Sequence, residues 1–336
     1  MITCSPPRLE SELWQQELAA AVTDPAELLR ILGLDPAQLP PIRAAETGFP
    51  LRVPRYFVNL MRRGDPGDPL LAQVLPQAVE DDPLPGFSSD PVGELASRCD
   101  HGILKKYQGR ALMIATGACA VHCRYCFRRD FPYPGNSVLP HWRDALATLR
   151  ELPDTRELIL SGGDPLSLSD GRLGRLVAEA AKLPQLRTLR IHTRLPVVLP
   201  RRVTGQLVRV LSDSDLRTLV VIHANHPHEI TPELGVALQK LATAGVSLLN
   251  QSVLLKSIND DADTLSTLSE ALFGIGVMPY YLHLLDPVAG AARFDVPLRQ
   301  AKQLMEEMRL RLPGYLVPRM VREIPGEPCK TPISRL

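Results

Sequence analysis

A fourth cysteine beside its one cluster of three is the most telling thing this sequence lacks. Cys119, Cys123 and Cys126 fall together in Gly117-Ala-Cys-Ala-Val-His-Cys-Arg-Tyr-Cys-Phe-Arg-Arg-Asp130. The CxxxCxxC spacing brings three thiolates to one loop. A cubane iron–sulfur cluster held wholly by protein uses four, so a cluster here would leave one iron open to another ligand. A structural zinc loop is the competing reading, because zinc also takes cysteine and histidine. Cys99 and His101 could contribute to it but lack the paired spacing of zinc sites.

Other absences narrow the class. Lys+Arg of 38 against Asp+Glu of 37 leaves a net charge of +1 over 336 residues, so no basic excess points to nucleic acid as a partner. No stretch approaches the ~18 apolar residues of a membrane span, and residues 1–16 lack the basic-then-apolar pattern of a signal peptide. Six cysteines in such a chain read as reduced thiols or metal ligands rather than disulfides. The expectation is a soluble, cytoplasmic protein with neither nucleic acid nor membrane as partner.

What is present divides near residue 100. Residues 1–100 carry 14 of the 32 prolines and read as a helical, proline-rich capping region with no catalytic signature of its own. Asp24-Pro25-Ala26-Glu27 predicts a helix start, with Asp24 as cap, Pro25 in the first turn and Glu27 closing a capping box. Further helices are expected over 54–63 and 68–74. Residues 101–336 alternate apolar, strand-length runs with helical segments. Strands are expected at 111–116, 157–161, 188–193, 218–223, 247–254 and 277–284, with helices at about 141–152, 169–182, 201–212, 231–244, 261–273 and 296–312. Repeated β-then-α with buried strands means a parallel sheet. Cysteines, Gly162-Gly-Asp164, His192-Thr-Arg194, His223, Asn250-Gln-Ser252 and Asp286 punctuate successive strand ends, which favours a barrel with its site at the C-terminal face. Six or so units make it partial.

With those residues in view, the chain resembles the lysine 2,3-aminomutase family of the radical S-adenosylmethionine (SAM) superfamily. The resemblance runs from about Asp24 to the C-terminus. It rests on Lys106-Tyr-Gln-Gly-Arg110, the cysteine loop, Leu160-Ser-Gly-Gly-Asp-Pro-Leu166, Pro279-Tyr-Tyr-Leu-His-Leu-Leu-Asp286 and Glu323-Ile-Pro-Gly-Glu-Pro-Cys-Lys330. It implies a partial (β/α)6 TIM-like barrel of the radical SAM type. It also implies that Cys119, Cys123 and Cys126 hold a [4Fe-4S] cluster whose open iron takes SAM, and that Lys330 forms an imine with pyridoxal 5′-phosphate (PLP).

Residue by residue, Gly162, Gly163 and Asp164 match the segment that receives the methionyl part of SAM, and His223 and Gln251 match further contacts to it. An ordinary βα turn would also explain Gly-Gly, and interior polar residues would explain His223 and Gln251. Lys106 and Arg110 match basic positions around PLP, Arg110 at the phosphate; no Gly-rich phosphate loop accompanies them, and Lys106 replaces an arginine of some relatives. Without the resemblance, Lys330 would read as a solvated tail residue and Arg128 as a surface base. With it, Arg128 matches the arginine that grips the substrate carboxylate, a task suited to a planar fork. Asp286 and Glu323 match the acids that hold the distant ammonium of lysine, and a buried ammonium needs such partners. Glu323 is one methylene longer than the aspartate of free-lysine enzymes.

The implied reaction is conversion of L-lysine to β-lysine, the (R) form, by hydrogen abstraction at C3, migration of nitrogen from C2 to C3 and return of hydrogen. The resemblance also implies an electron donor such as flavodoxin or ferredoxin, and a functional link to elongation factor P and its lysyl ligase. Two other readings stand beside it: an aminomutase for another basic amino acid, and a non-enzymatic protein that docks on elongation factor P. Longer relatives continue into a cysteine-bearing zinc segment, whereas this chain stops at Leu336, so zinc is not expected and any homo-oligomer would use another surface. Cys4, Cys99 and Cys329 match no ligand position and read as small buried or incidental thiols.

Overall fold

The computed structural model describes residues 10–43, 48–134, 137–138 and 141–333; Cys4 and Leu336 lie outside them. Among the described residues, nine strands form one sheet in chain order: β1 (Ile103–Leu104), β2 (Arg110–Thr116), β3 (Glu157–Gly162), β4 (Thr188–Thr193), β5 (Arg217–Ile222), β6 (Ser247–Val253), β7 (Met278–His283), β8 (Arg319–Arg322) and β9 (Thr331–Pro332). β2 through β8 pair in parallel. β1 and β9 instead pair antiparallel with β2 and β8, one at each edge.

The helices are α1 (Glu10–Ala19), α2 (Pro25–Leu32), α3 (Arg55–Val58), α4 (Pro69–Ala72), α5 (Trp142–Arg150), α6 (Asp170–Ala181), α7 (Leu195–Val198), α8 (Gly205–Ser212), α9 (Pro232–Thr243), α10 (Ala262–Gly274) and α11 (Leu298–Arg311). α5, α6, α8, α9, α10 and α11 fall in turn between the parallel strands. The result is an open, partial barrel of six βα units.

The six expected strands are all present, with ends displaced by a residue or so. A parallel strand also needs cover on both faces, and the buried Ala111, Met113, Ile114 and Ala115 of β2 show why apolar runs were readable there. Caps set the helix starts. Thr231 accepts from the Leu234 N–H, Asp261 from that of Thr264, and Thr204 from that of Leu207. The Thr204 cap places α8 at residue 205 rather than 201.

The N-terminal region departs further from expectation. Asp24 caps α2 through the Ala26 N–H at 3.0 Å, but Glu27 makes no capping box because its carboxylate takes Arg55 at 2.6 Å. α3 is short because the buried Asp68 draws the chain aside. One carboxylate oxygen accepts the Arg62 N–H at 3.0 Å, and the other caps α4 through Leu70 and Leu71. α1, unforeseen because its apolar residues are sparse, buries Trp14 to 1% exposure. The Arg202 guanidinium lies 4.5 Å from the Trp14 ring and bonds Asp170 at the start of α6. Trp14, Leu28 and Phe57 share one buried apolar cluster with Leu158, Leu160 and Ile191 of the barrel.

Trp14→Ala should therefore destabilise the whole chain by about 3 kcal/mol or more, the cost of emptying a buried aromatic site. Chemical denaturation of the two proteins measures it; an unchanged midpoint would mean that α1 is not part of the cooperative core.

Candidate active site

A cavity of about 290 Å³ runs from the C-terminal mouth of the barrel to the opening between its edges. The cysteine loop follows β2, and all three of its cysteines are free thiols facing this cavity. Burial, with Cys126, Asp164 and Cys123 nearby, pushes the Cys119 thiol up, and burial with Cys123 pushes Cys126 up to about 11. Thiols in this state become thiolates when a metal replaces the proton. Cys99 and His101 lie off the cavity lining. Cys99 is half-buried and Cys329 exposed.

Gly162 and Gly163 end β3 against this loop. The Gly163 N–H donates to the Thr116 carbonyl and the Asp164 N–H to the Ala118 carbonyl, both at 2.7 Å. A Cβ on Gly163 would meet the Ala118 oxygen at 2.4 Å, and one on Gly162, at φ 126°, would meet the Thr116 oxygen at 2.5 Å. Close approach was expected to be toward a ligand. The structure adds a backbone reason: the two loops touch. The Asp164 carboxylate is turned into the protein, accepting from Thr193 Oγ1 at 2.7 Å and from the Arg194 and Leu195 N–H groups at 2.8 and 2.9 Å. Burial raises its pKa against those bonds. It ties the ends of β3 and β4 together while lining the cavity wall.

His223 and Gln251, from the ends of β5 and β6, also line the cavity. Burial and the Arg194 charge lower His223 to about 3, so its ring is neutral and its Nε2 lies 3.0 Å from the Tyr125 hydroxyl. Asp286, past β7, has a buried Oδ1 with no partner among the described residues, and burial lifts its pKa to about 7.

Four of the remaining expected residues lie at the barrel's two edges. Lys106 and Arg110 belong to the β1–β2 connection and the start of β2, and Glu323 and Lys330 to the β8–β9 connection. The two hairpins face each other across the opening. Glu323 Oε1 accepts from Lys106 Nζ at 3.0 Å and from the Tyr107 hydroxyl, and Oε2 accepts from Lys330 Nζ at 2.7 Å. Burial opposes ionisation, yet Lys330 and Lys106 hold the Glu323 carboxyl down to about 2. The opening is closed by side chains.

Arg128 is buried, and its fork is already engaged. Nε and Nη2 donate to Glu94 at 2.7 and 2.6 Å, and Nη1 donates to Ser161 Oγ at 2.7 Å and the Gly162 carbonyl at 3.3 Å. Four of its five N–H groups are thus used, so an incoming carboxylate would meet the fifth or displace Glu94. Glu94 brings the N-terminal region, which carries no catalytic signature in its sequence, into the cavity wall. Gln73 accepts from Arg194 at 2.7 Å. His192 and Arg194, expected at a converging strand end, do line the cavity, and Tyr107 and His283, for which no role was read from the sequence, line it too. Tyr107 and His283 lay inside segments already singled out; Glu94 carried no signal.

The donor set fits the groups the motifs imply. Three free thiols share one wall, and Lys330 with two further basic side chains stands at the other end. Orphaned polar atoms (His192 Nε2, His283 Nε2 and Asp286 Oδ1) line the space between them.

Three cluster-type cysteines at the mouth of an open parallel barrel define a radical SAM protein, and residues 113–234 match the Radical SAM superfamily. The L-lysine 2,3-aminomutase of Escherichia coli K12 is 48% identical over 99% of this chain and 97% of its own length. That of Haemophilus influenzae is 45% identical over 96% of each, and that of Clostridium subterminale 33% identical over 95% of this chain and 77% of its own. The chain belongs to the lysine 2,3-aminomutase family of radical SAM enzymes. It is an isomerase of the aminomutase type, and the family implies a [4Fe-4S] cluster and SAM.

Gly163→Ala must separate the two loops at the mouth. Anaerobic reconstitution should then give less than a tenth of the wild-type iron and sulfide, with the far-UV circular dichroism retained. Full loading would show that the contact is dispensable.

Proposed function

We propose that the protein is an L-lysine 2,3-aminomutase that uses a [4Fe-4S] cluster, SAM and PLP and releases (R)-β-lysine. The observation that carries this reading is Asp286. A buried carboxylate with an unpartnered oxygen and a pKa near 7 calls for a cation, since an ammonium beside it offsets the cost of ionising it in a dry site. A glutamate-like substrate would bring a second anion there and be repelled.

Glu323 supplies the second acid. Its Oε1 stays with Lys106 and Tyr107, while Oε2 is held by Lys330 alone. Once Lys330 is committed to PLP, Oε2 becomes free for the substrate's distant ammonium. When bound, the cluster with SAM supplies a carbon radical and PLP an electron sink for the migrating nitrogen. The protein's part is to hold and orient. Cys119, Cys123 and Cys126 would hold the cluster, the Gly162–Asp164 segment with His223 and Gln251 would flank SAM, and Lys106 and Arg110 would hold PLP, Arg110 at its phosphate. Arg128, kept flat by Glu94, offers its fifth N–H to the substrate carboxylate. Neutral His223 adds no charge to repel the sulfonium.

Resemblance supports the wider assignment: electrons from flavodoxin or ferredoxin, and β-lysine passed to the lysyl ligase of elongation factor P. No described helix is long and apolar enough to cross a membrane, and a cytoplasmic location would keep the thiols reduced. We also assign residues 1–100 as the cap of a 101–336 barrel, free to form a homo-oligomer.

Anaerobically reconstituted protein with SAM, PLP and a reductant should form β-lysine from L-lysine, and not from arginine or ornithine. Protein that carries cluster and PLP yet leaves L-lysine unchanged would refute the reading. Asp286→Asn should raise KM for lysine at least tenfold. Because the Asp286 carboxyl is protonated below its pKa, the wild-type KM should rise as pH falls below about 7, whereas that of the asparagine variant should not follow.

A further inference from the structure

Arg194 is absorbed by none of these roles, yet it touches both a cysteine of the loop and the Asp164 segment. Its Nη1 donates to Cys123 Sγ at 2.7 Å and to the Tyr125 hydroxyl. Its Nη2 donates to Gln73 Oε1 at 2.7 Å and Glu229 Oε2 at 3.0 Å. Its backbone N–H donates to Asp164 at 2.8 Å. The guanidinium lies 5.4 Å from the Phe57 ring centre, and the residue is 7% exposed. Glu229 is itself fixed, accepting from the Asn225 and His226 N–H groups at 2.9 and 3.0 Å and from Gln73 Nε2 at 3.2 Å.

The other arginines near the cysteine loop are spent differently. Arg124 and Arg129 pair with Glu80, and Arg128 with Glu94. Among the described residues, Arg194 donates to the Cys123 sulfur at 2.7 Å, and the Tyr125 hydroxyl approaches the same sulfur.

We propose that Arg194 is a positioning residue that raises the reduction potential of the cluster through Cys123. The inference rests on the reading of Cys123 as a cluster ligand. Taking one electron from a low-potential donor makes the cluster one unit more negative, with no bond broken and no proton moved. A guanidinium fixed on a ligand sulfur stabilises that extra charge, as hydrogen bonds to cluster sulfurs do. Arginine stays charged throughout, so the effect is constant across working pH. The same residue holds Asp164 through its backbone and approaches neutral His223 through Tyr125 and Asn225. One side chain thereby links the electron-accepting end of the site to the segment assigned to SAM.

The test is an EPR-monitored redox titration of reconstituted protein without SAM, alongside iron and sulfide analysis. Arg194→Gln should load its cluster but reduce less readily. At the wild-type midpoint its reduced-to-oxidised ratio should fall about tenfold, about 59 mV for one electron. A loaded Arg194→Gln protein that titrates with the wild type overturns the proposal and leaves Arg194 a structural residue. If that variant takes up no cluster, Glu229→Gln decides. Freed of its counter-carboxylate, Arg194 should then raise the midpoint, and an unchanged or lowered midpoint overturns the proposal. A wild type that takes up no iron and sulfide refutes the cluster reading itself, and this inference with it, which separates the two failures.

Discussion

One carboxylate, Glu323, holds the barrel's opening shut. A parallel barrel closed by backbone has no edges; this one stops at seven parallel strands among the described residues and leaves β2 and β8 unpaired with each other. The hairpins at those edges carry Lys106 and Tyr107 on one side and Glu323 and Lys330 on the other, and three donors converge on a single acid. A contact of side chains can be opened or exchanged without unpairing a sheet. It also places the Lys330 side chain beside a carboxylate.

The rest of the site depends on this division of labour. Backbone contact at the mouth, where Gly163 meets Ala118, fixes the cysteine loop rigidly. Buried ion pairs then fix the cations around it: Glu80 takes Arg124 and Arg129, Glu94 takes Arg128, and Glu229 takes Arg194. Breaking such a buried pair costs about 3–5 kcal/mol, so these groups keep their positions through the reaction. The segment carrying Glu94 is held at both ends of the site. Ser88 exchanges backbone hydrogen bonds with Pro287 and Ala289 beside Asp286, and Gly93 packs against Pro325 in the β8–β9 connection. The N-terminal region is thus part of the cavity wall.

How much of this was legible follows from the range of each interaction. The cysteine loop stood out because its three thiols are local in sequence, and the barrel because six buried strands leave apolar runs. β1, β8 and β9 are two to four residues long and carry no period to read, so the opening was invisible, and with it the reason Lys106 and Glu323 meet. Arg128 and Glu94 lie 34 residues apart; nothing in either neighbourhood announces the other. Lys330 was readable only by resemblance, since a lysine among prolines near the C-terminus otherwise signifies a solvated tail. For Gly162 and Gly163 the residue type signals a close approach, but the Thr116 and Ala118 carbonyls they meet could not be read from it.

The central claim is that the amine at the opening, Lys330, carries PLP while the cysteine loop holds the cluster. Borohydride reduction of the PLP-loaded protein followed by peptide mapping tests this most directly. The account predicts a pyridoxyl group on Lys330, lost in Lys330→Ala while iron and sulfide stay at wild-type levels. A label on Lys106 or any other lysine, or none on protein that binds PLP, would contradict it.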